Sequence, residues 1–181
     1  MRDGVVHRLD VLVYATGFET TGWHWSLEVA GRGGKRLGDV WKQGPEAYLG
    51  ITVSGFPNLF MPYGPNTNVG HNSITFMIGR QSEYVTQALT EMERRGLSAI
   101  EPTEEAQQRV NLELQERLSQ RTWADASCSS WYKTADGRNT QNWSSHTRDY
   151  AAATKVVNFD DYVALARIPA GAGGNYERHN R

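Results

Sequence analysis

The stretch from Tyr63 to Phe76 reads Tyr-Gly-Pro-Asn-Thr-Asn-Val-Gly-His-Asn-Ser-Ile-Thr-Phe. It joins an apolar run ending at Met61 to a helical pattern that begins after Asn72 and Ser73. A helix start of this kind offers free backbone N–H groups and the positive end of the helix dipole. Together they can hold negative charge on a phosphate or on a ring carbonyl. The same residues also describe an ordinary capped helix after a tight turn, so from residue types alone both readings stand.

Other chemistry-bearing residues point to less. No Gly-x-Gly-x-x-Gly follows a strand, and there is no phosphate-loop Lys-Ser/Thr pair. Gly31-Arg32-Gly33-Gly34 reads as a turn, because no apolar strand runs into it. The histidines His7, His24, His71, His146 and His179 do not pair at ligand spacing, so no metal site is expected. His71 lies in the loop, yet a catalytic base needs a positioned partner, and none is visible. Cys128 sits among serines with no His or Lys to lower its pKa and reads as an ordinary thiol. A single cysteine excludes an internal disulfide. The tryptophans, Trp131 and Trp143 among them, read as packing residues.

The elements that must position the loop follow from periodicity. Val11 to Ala15 is short, β-branched and non-alternating, which predicts a strand buried on both faces, with Gly17 releasing the chain after it. Residues 19 to 47 read as an irregular excursion with one short hairpin, and Gly44-Pro45 as a turn. Tyr48 to Val53 and Asn58 to Met61 are strand candidates around a turn at 54 to 58. Ile74, Met77, Ile78, Tyr84, Val85, Ala88, Leu89 and Met92 predict a helix capped by Asn72 or Ser73 and ended at Gly96. Thr103 caps a second helix running to about Trp123, with a stripe of Val110, Leu114 and Leu118. Residues 128 to 133 read as extended and 135 to 139 as a turn. Asn158 to Tyr162 reads as the start of a short last helix, and the Gly-rich end as a frayed tail.

The 181 residues suit one domain, with 39% hydrophobic and 22% charged residues. A net charge of -1 gives no basic field for nucleic acid. Mean hydropathy is -0.60 and no apolar run is long enough for a membrane helix. The polar start does not resemble a secretory signal, so the expected address is the cytoplasm.

Three passages together resemble a known family. Asp10-Val11-Leu12-Val13-Tyr14-Ala15-Thr16-Gly17-Phe18 is similar to the Asp-x-x-x-x-Ala-Thr-Gly-Phe/Tyr motif of flavin-containing and Baeyer–Villiger monooxygenases. Residues 48 to 61, Tyr-Leu-Gly-Ile-Thr-Val-Ser-Gly-Phe-Pro-Asn-Leu-Phe-Met, resemble the segment that follows in that family, and Gly64 to Ser73 resembles its next loop. Trp131-Tyr132 and Gly137 to Trp143 resemble a late segment of the Baeyer–Villiger branch. The form of the loop at 67 to 71 leans toward the 4-hydroxyacetophenone-monooxygenase-like group.

The resemblance implies an α/β fold: the C-terminal part of an FAD/NAD(P)-binding, Rossmann-like flavoprotein domain, plus helices. Residues 1–165 would form one incomplete domain and 166–181 a flexible tail. It implies FAD, NADPH and O2, with one oxygen atom inserted into a small-molecule ketone through a peroxyflavin. It also implies flavin-cofactor contacts at Thr16, Gly17, Gly64, Pro65, Asn66, Asn72 and Ser73. The family's two glycine fingerprints, its signature and its catalytic arginine have no counterpart in the chain, so no residue here is assigned a catalytic role. The chain alone is expected to be inactive, and its strands at 11 to 15 and 58 to 61 to lack sheet neighbours and invite association. Two other readings remain: a non-catalytic relic or accessory chain completing a split flavoprotein, and an N- or S-oxidising flavin monooxygenase.

Overall fold

The computed structural model describes residues 4, 6–16, 28–124 and 130–166. Gly17, Trp23, His24, Trp25, Cys128 and the tail beyond Ala166 lie outside them.

The longest element is α2 (Ile74–Arg94), preceded in the chain by the single-turn α1 (Leu37–Val40). Its buried residues are Met77, Gln81, Tyr84, Ala88 and Met92, spaced three and four apart, which puts them on one face. Ser73 caps it by accepting the Phe76 N–H, and Gly96, at φ 64°, turns the chain away after its end. β1 (Leu97–Pro102) follows directly, then α3 (Glu104–Ser119), capped by Thr103. Glu104 and Glu105 complement the dipole of its first turn. Leu114 and Leu118 are buried as the stripe predicts, and the helix ends at Ser119, ahead of a 3-10 turn at Thr122–Ala124. α4 (Thr147–Ala153) and β2 (Tyr162–Ala166) complete the described chain.

β1 and β2 pair antiparallel, from Pro102 opposite Tyr162 to Leu97 opposite Ala166. On its other edge β1 meets Asn58. The Asn58 N–H donates to the Ile100 carbonyl at 2.9 Å, and its Oδ1 accepts the Ile100 N–H at 3.1 Å. Both edges of β1 are therefore engaged. The main core lies where α2, β1, α3 and the 48–51 turn meet, around Tyr48, Ile51, Tyr84, Ile100 and Tyr162. A second cluster gathers Leu37, Trp41, Val53 and Phe56, and a third Val69, Met77, Leu118, Trp143 and Tyr150.

Three expectations need correction. Residues 11 to 15 form no strand, and Val11, Val13 and Tyr14 are 75%, 79% and 81% exposed. A strand needs neighbours to satisfy its backbone and cover its faces, and no described segment supplies them. Residues 48–53 and 58–61 are not regular strands. They form tight turns joined by single bridges, Tyr48 to Thr52 and Thr52 to Phe60, because left-handed backbone at Leu49, Gly50 and Asn58 breaks the extended run. The last helix is one 3-10 turn, Phe159–Asp161, capped by Asn158. Pairing with β1 then draws Tyr162 onward into β2. The expected hairpin before residue 47 is present, with Ala30 bridging Arg36 around the glycine turn. The turn at 135–139 is closed by Lys133 bridging Asn139.

Candidate functional site

The Tyr63–Phe76 junction is built on two turns that touch. Leu49, Tyr63 and Asn66 adopt φ of 53°, 63° and 58°, in the left-handed region. Each such non-glycine residue costs on the order of 1 kcal/mol, less for Asn, so surrounding bonds must hold it. Gly64 lies against the Gly50 carbonyl, where a Cβ would come within 2.4 Å of that oxygen. At Gly50 a Cβ would meet the Thr67 methyl at 2.1 Å and the Pro65 carbonyl at 2.6 Å. Both glycines are required by close backbone approach, and Gly50 also by its φ of 69°.

The loop beyond Gly64 is stitched to residues 139–143. Asn66 and Asn68 donate their N–H groups to the Thr140 and Gln141 carbonyls at 3.0 and 2.9 Å, and Trp143 N–H returns to Asn68 at 2.8 Å. The buried Asn66 side chain donates to the Asn139 and Asn142 carbonyls at 2.8 and 3.0 Å. Thr67 Oγ1 donates to the Gly64 carbonyl at 2.7 Å. The Asn139 carbonyl also accepts from Gln115 on α3. The loop is thus held on a polar seam between two helices.

At its exit the loop meets the start of α2. Asn72 Oδ1 accepts the Ser73 N–H at 2.8 Å, and its Nδ2 donates to Thr147 Oγ1 at 3.0 Å. Ser73 Oγ takes the Phe76 N–H at 3.3 Å. The N–H groups of Ile74 and Thr75 belong to the first turn and have no partner among the described residues. Ile74, Phe76, Asn72 and Ser73 are exposed, so this positive helix end faces outward. His71 is also exposed, its ring edge-on to that of His146 with centroids 5.9 Å apart.

The sequence-derived contacts therefore separate. Gly64, Pro65 and Asn66 lie buried at one end of the loop, against Gly50 and residues 139–142, and Asn72 and Ser73 lie exposed at its other end, at the start of α2. Thr16 is exposed and makes no hydrogen bond to either end, and Gly17 is outside the described residues. Sequence reasoning missed Gln81 and Tyr150, which underlie the junction. Gln81 Oε1 accepts the Tyr63 N–H at 2.7 Å, its Nε2 donates to Tyr150 Oη at 2.9 Å, and Tyr150 donates to the Leu49 carbonyl at 2.8 Å. A polar side chain on the apolar stripe, between Met77 and Tyr84, was the available signal. Among the described residues no cluster of His, Cys, Asp and Glu could hold a metal ion.

Below the junction lies a second polar group. Tyr48 donates to Asp161 Oδ2 at 2.8 Å, and Arg109 pairs with Asp161 Oδ1 at 2.7 Å. Burial pushes the Asp161 carboxyl up, but its bonds from Arg109 and Tyr48 outweigh that and leave it below its ordinary value. Burial, reinforced by the Asp161 charge, pushes the Tyr48 phenol well up, so it stays a donor. This group joins the 48–52 turn to α3 and to the 3-10 turn at Phe159–Asp161; it is a structural tie.

Comparison with known proteins places the whole arrangement. No family model matches the chain. It is 39% identical over 177 residues to a Baeyer-Villiger monooxygenase of Pseudomonas aeruginosa, covering 97% of this chain and 33% of that protein. It is 39% identical over 158 residues to the FAD-binding monooxygenase ktnD of Aspergillus niger, covering 85% of this chain and 26% of that one. Among solved structures, a closed form of cyclohexanone monooxygenase matches 91% of this chain and 32% of its own, with a TM-score of 0.74 and 30% identity. The OTEMO complex with FAD and NADP matches 90% of this chain and 31% of its own, with a TM-score of 0.71 and 29% identity. The mixed helix and strand fold is accordingly a partial flavin-monooxygenase domain, and the chain spans about a third of the length of the relatives it matches. On sequence and fold together, the chain belongs to the family of Baeyer–Villiger-type flavin monooxygenases.

Proposed function

We propose that this chain supplies the flavin-facing junction of an FAD- and NADPH-dependent monooxygenase that inserts one oxygen atom of O2 into a small-molecule ketone. The observation that carries the reading is the outward-facing start of α2, with the Ile74 and Thr75 N–H groups lacking a partner among the described residues, beside a loop fixed on both sides. Two N–H donors at a positive helix end suit the carbonyl edge of a flavin ring, whose negative charge grows on reduction. FAD, when bound, supplies the redox and oxygen chemistry.

The chain's own residues bind and orient. Ile74 and Thr75 offer donors. Asn72 and Ser73 fix the cap that aims them. Gly64 and Pro65 let the loop backbone approach closely, and Asn66 anchors it. Ile74 and Phe76 place apolar surface beside the helix end and limit water there. Thr16 and Gly17 join this set on the family resemblance alone, as does NADPH. None of these groups is assigned a catalytic role, and the isolated chain is expected not to oxidise NADPH.

The test is an FAD titration of the purified chain, following flavin fluorescence and protein melting together. Saturable binding with a raised melting temperature supports the junction as a flavin site. A folded chain whose melting FAD leaves unchanged overturns the claim that the junction holds flavin by itself. The bare apolar segment at residues 6–14 favours a related second reading, in which the chain completes a flavoprotein whose remaining sheet is provided from elsewhere.

A further inference from the structure

We propose that Gln81 is the positioning residue of the junction, holding its two left-handed turns in the ligand-ready arrangement before any ligand arrives. The proposal deepens the flavin reading and rests on it for the identity of the ligand. Gln81 is fully buried on α2, two turns after the Ser73 cap. One end of its amide accepts from Tyr63, where the chain enters the junction. The other end donates to Tyr150 of α4, whose hydroxyl donates to Leu49 in the opposing turn. Tyr63 and Leu49 are both non-glycine residues in the left-handed region, and the glycines that follow them, Gly64 and Gly50, are the pair in contact. One side chain therefore spans both turns and ties them to the helix whose first N–H groups face outward.

The chemistry of the position selects an amide. The side chain must accept from a backbone N–H and donate to a phenol oxygen at once, because that phenol proton is already committed to Leu49. A carboxylate would take the phenol proton and release Leu49. Methionine has the reach without the bonds.

The experiment compares Gln81→Met with Met92→Ala, a core change on the same helix, at matched loss of melting temperature. Amide hydrogen exchange is read at Asn66 and Asn68, whose acceptors are Thr140 and Gln141 rather than Gln81. Exchange at both is expected to rise at least about tenfold in Gln81→Met and less than about twofold in Met92→Ala. Equal exchange in the two variants would overturn the proposal. If Gln81→Met does not fold, Tyr150→Phe keeps the ring and removes the hydroxyl that links Gln81 to Leu49, while the Gln81 bond to Tyr63 stays. Faster exchange at Ile51 and Asn66 then supports the tie, and unchanged exchange refutes it. FAD titration of the same samples is a separate readout. Where the parent binds FAD, its Kd should rise at least about tenfold in Gln81→Met and not in Met92→Ala. Where the parent does not bind, the flavin reading fails, and exchange alone decides the role of Gln81.

Discussion

Asp161 accepts three side-chain bonds, from Tyr48, Arg109 and Asn158, while only 15% of its side chain is exposed. Its pKa is lowered in the folded chain, so its contribution is complete above the unfolded value of about 3.9 and lost as pH falls through the folded value. Urea denaturation across pH 3 to 7 should therefore show stability falling below about pH 4. Asp161→Asn should cost about 1–2 kcal/mol at pH 7, since a weaker acceptor remains and Arg109 is largely solvated. The gap between parent and variant should narrow toward pH 3. A gap independent of pH would mean that the charge of Asp161 contributes nothing.

At the scale of elements, the start of α2 is held by one hydroxyl. Ser73→Ala removes the acceptor of the Phe76 N–H and should cost about 1 kcal/mol. The loss should stay in the first turn, because Met77 onward is packed in the core. Circular dichroism should change little, while exchange at Phe76 rises. Loss of helix along the whole of α2 would show that packing holds it less firmly than its buried stripe implies. Both long helices and their caps were legible in sequence, since their apolar spacing and the Ser and Thr before them are local signals. The loop at 64–73 was legible from its Gly, Pro and Asn residues. The strands were not. Leu97 to Pro102 carries no clean alternation, and its identity as β1 depends on Asn58 and residues 162–166, remote in sequence. The apolar run at 11–15 failed the opposite way: its composition suits a covered strand, and no described segment covers it. Gln81 was hidden because a helical stripe is read for apolar residues, whereas the seam beneath it is polar.

For the whole molecule, the segment from Val6 to Tyr14 is the main liability. Val6, Leu9, Val11, Leu12, Val13 and Tyr14 are all exposed. Such a run pairs readily with another copy or with any open sheet edge. Sedimentation velocity of the parent should show association that grows with concentration. Val11→Lys with Val13→Lys should abolish it and leave the melting temperature within about 1 °C, because these side chains contribute nothing to the core. Unchanged association would place the sticky surface elsewhere. No helix among the described residues is long and apolar enough to cross a membrane.

The pairing of β1 with β2 joins segments some sixty residues apart, and Tyr162, the first residue of β2, is the ring against Tyr48 and Tyr84. A chain made from its N-terminus thus exposes the cluster around Tyr48, Tyr84 and Ile100 before Tyr162, which packs on it, exists. Closure is a late event with a long loop to pay for, and folding should be slow relative to the formation of the helices.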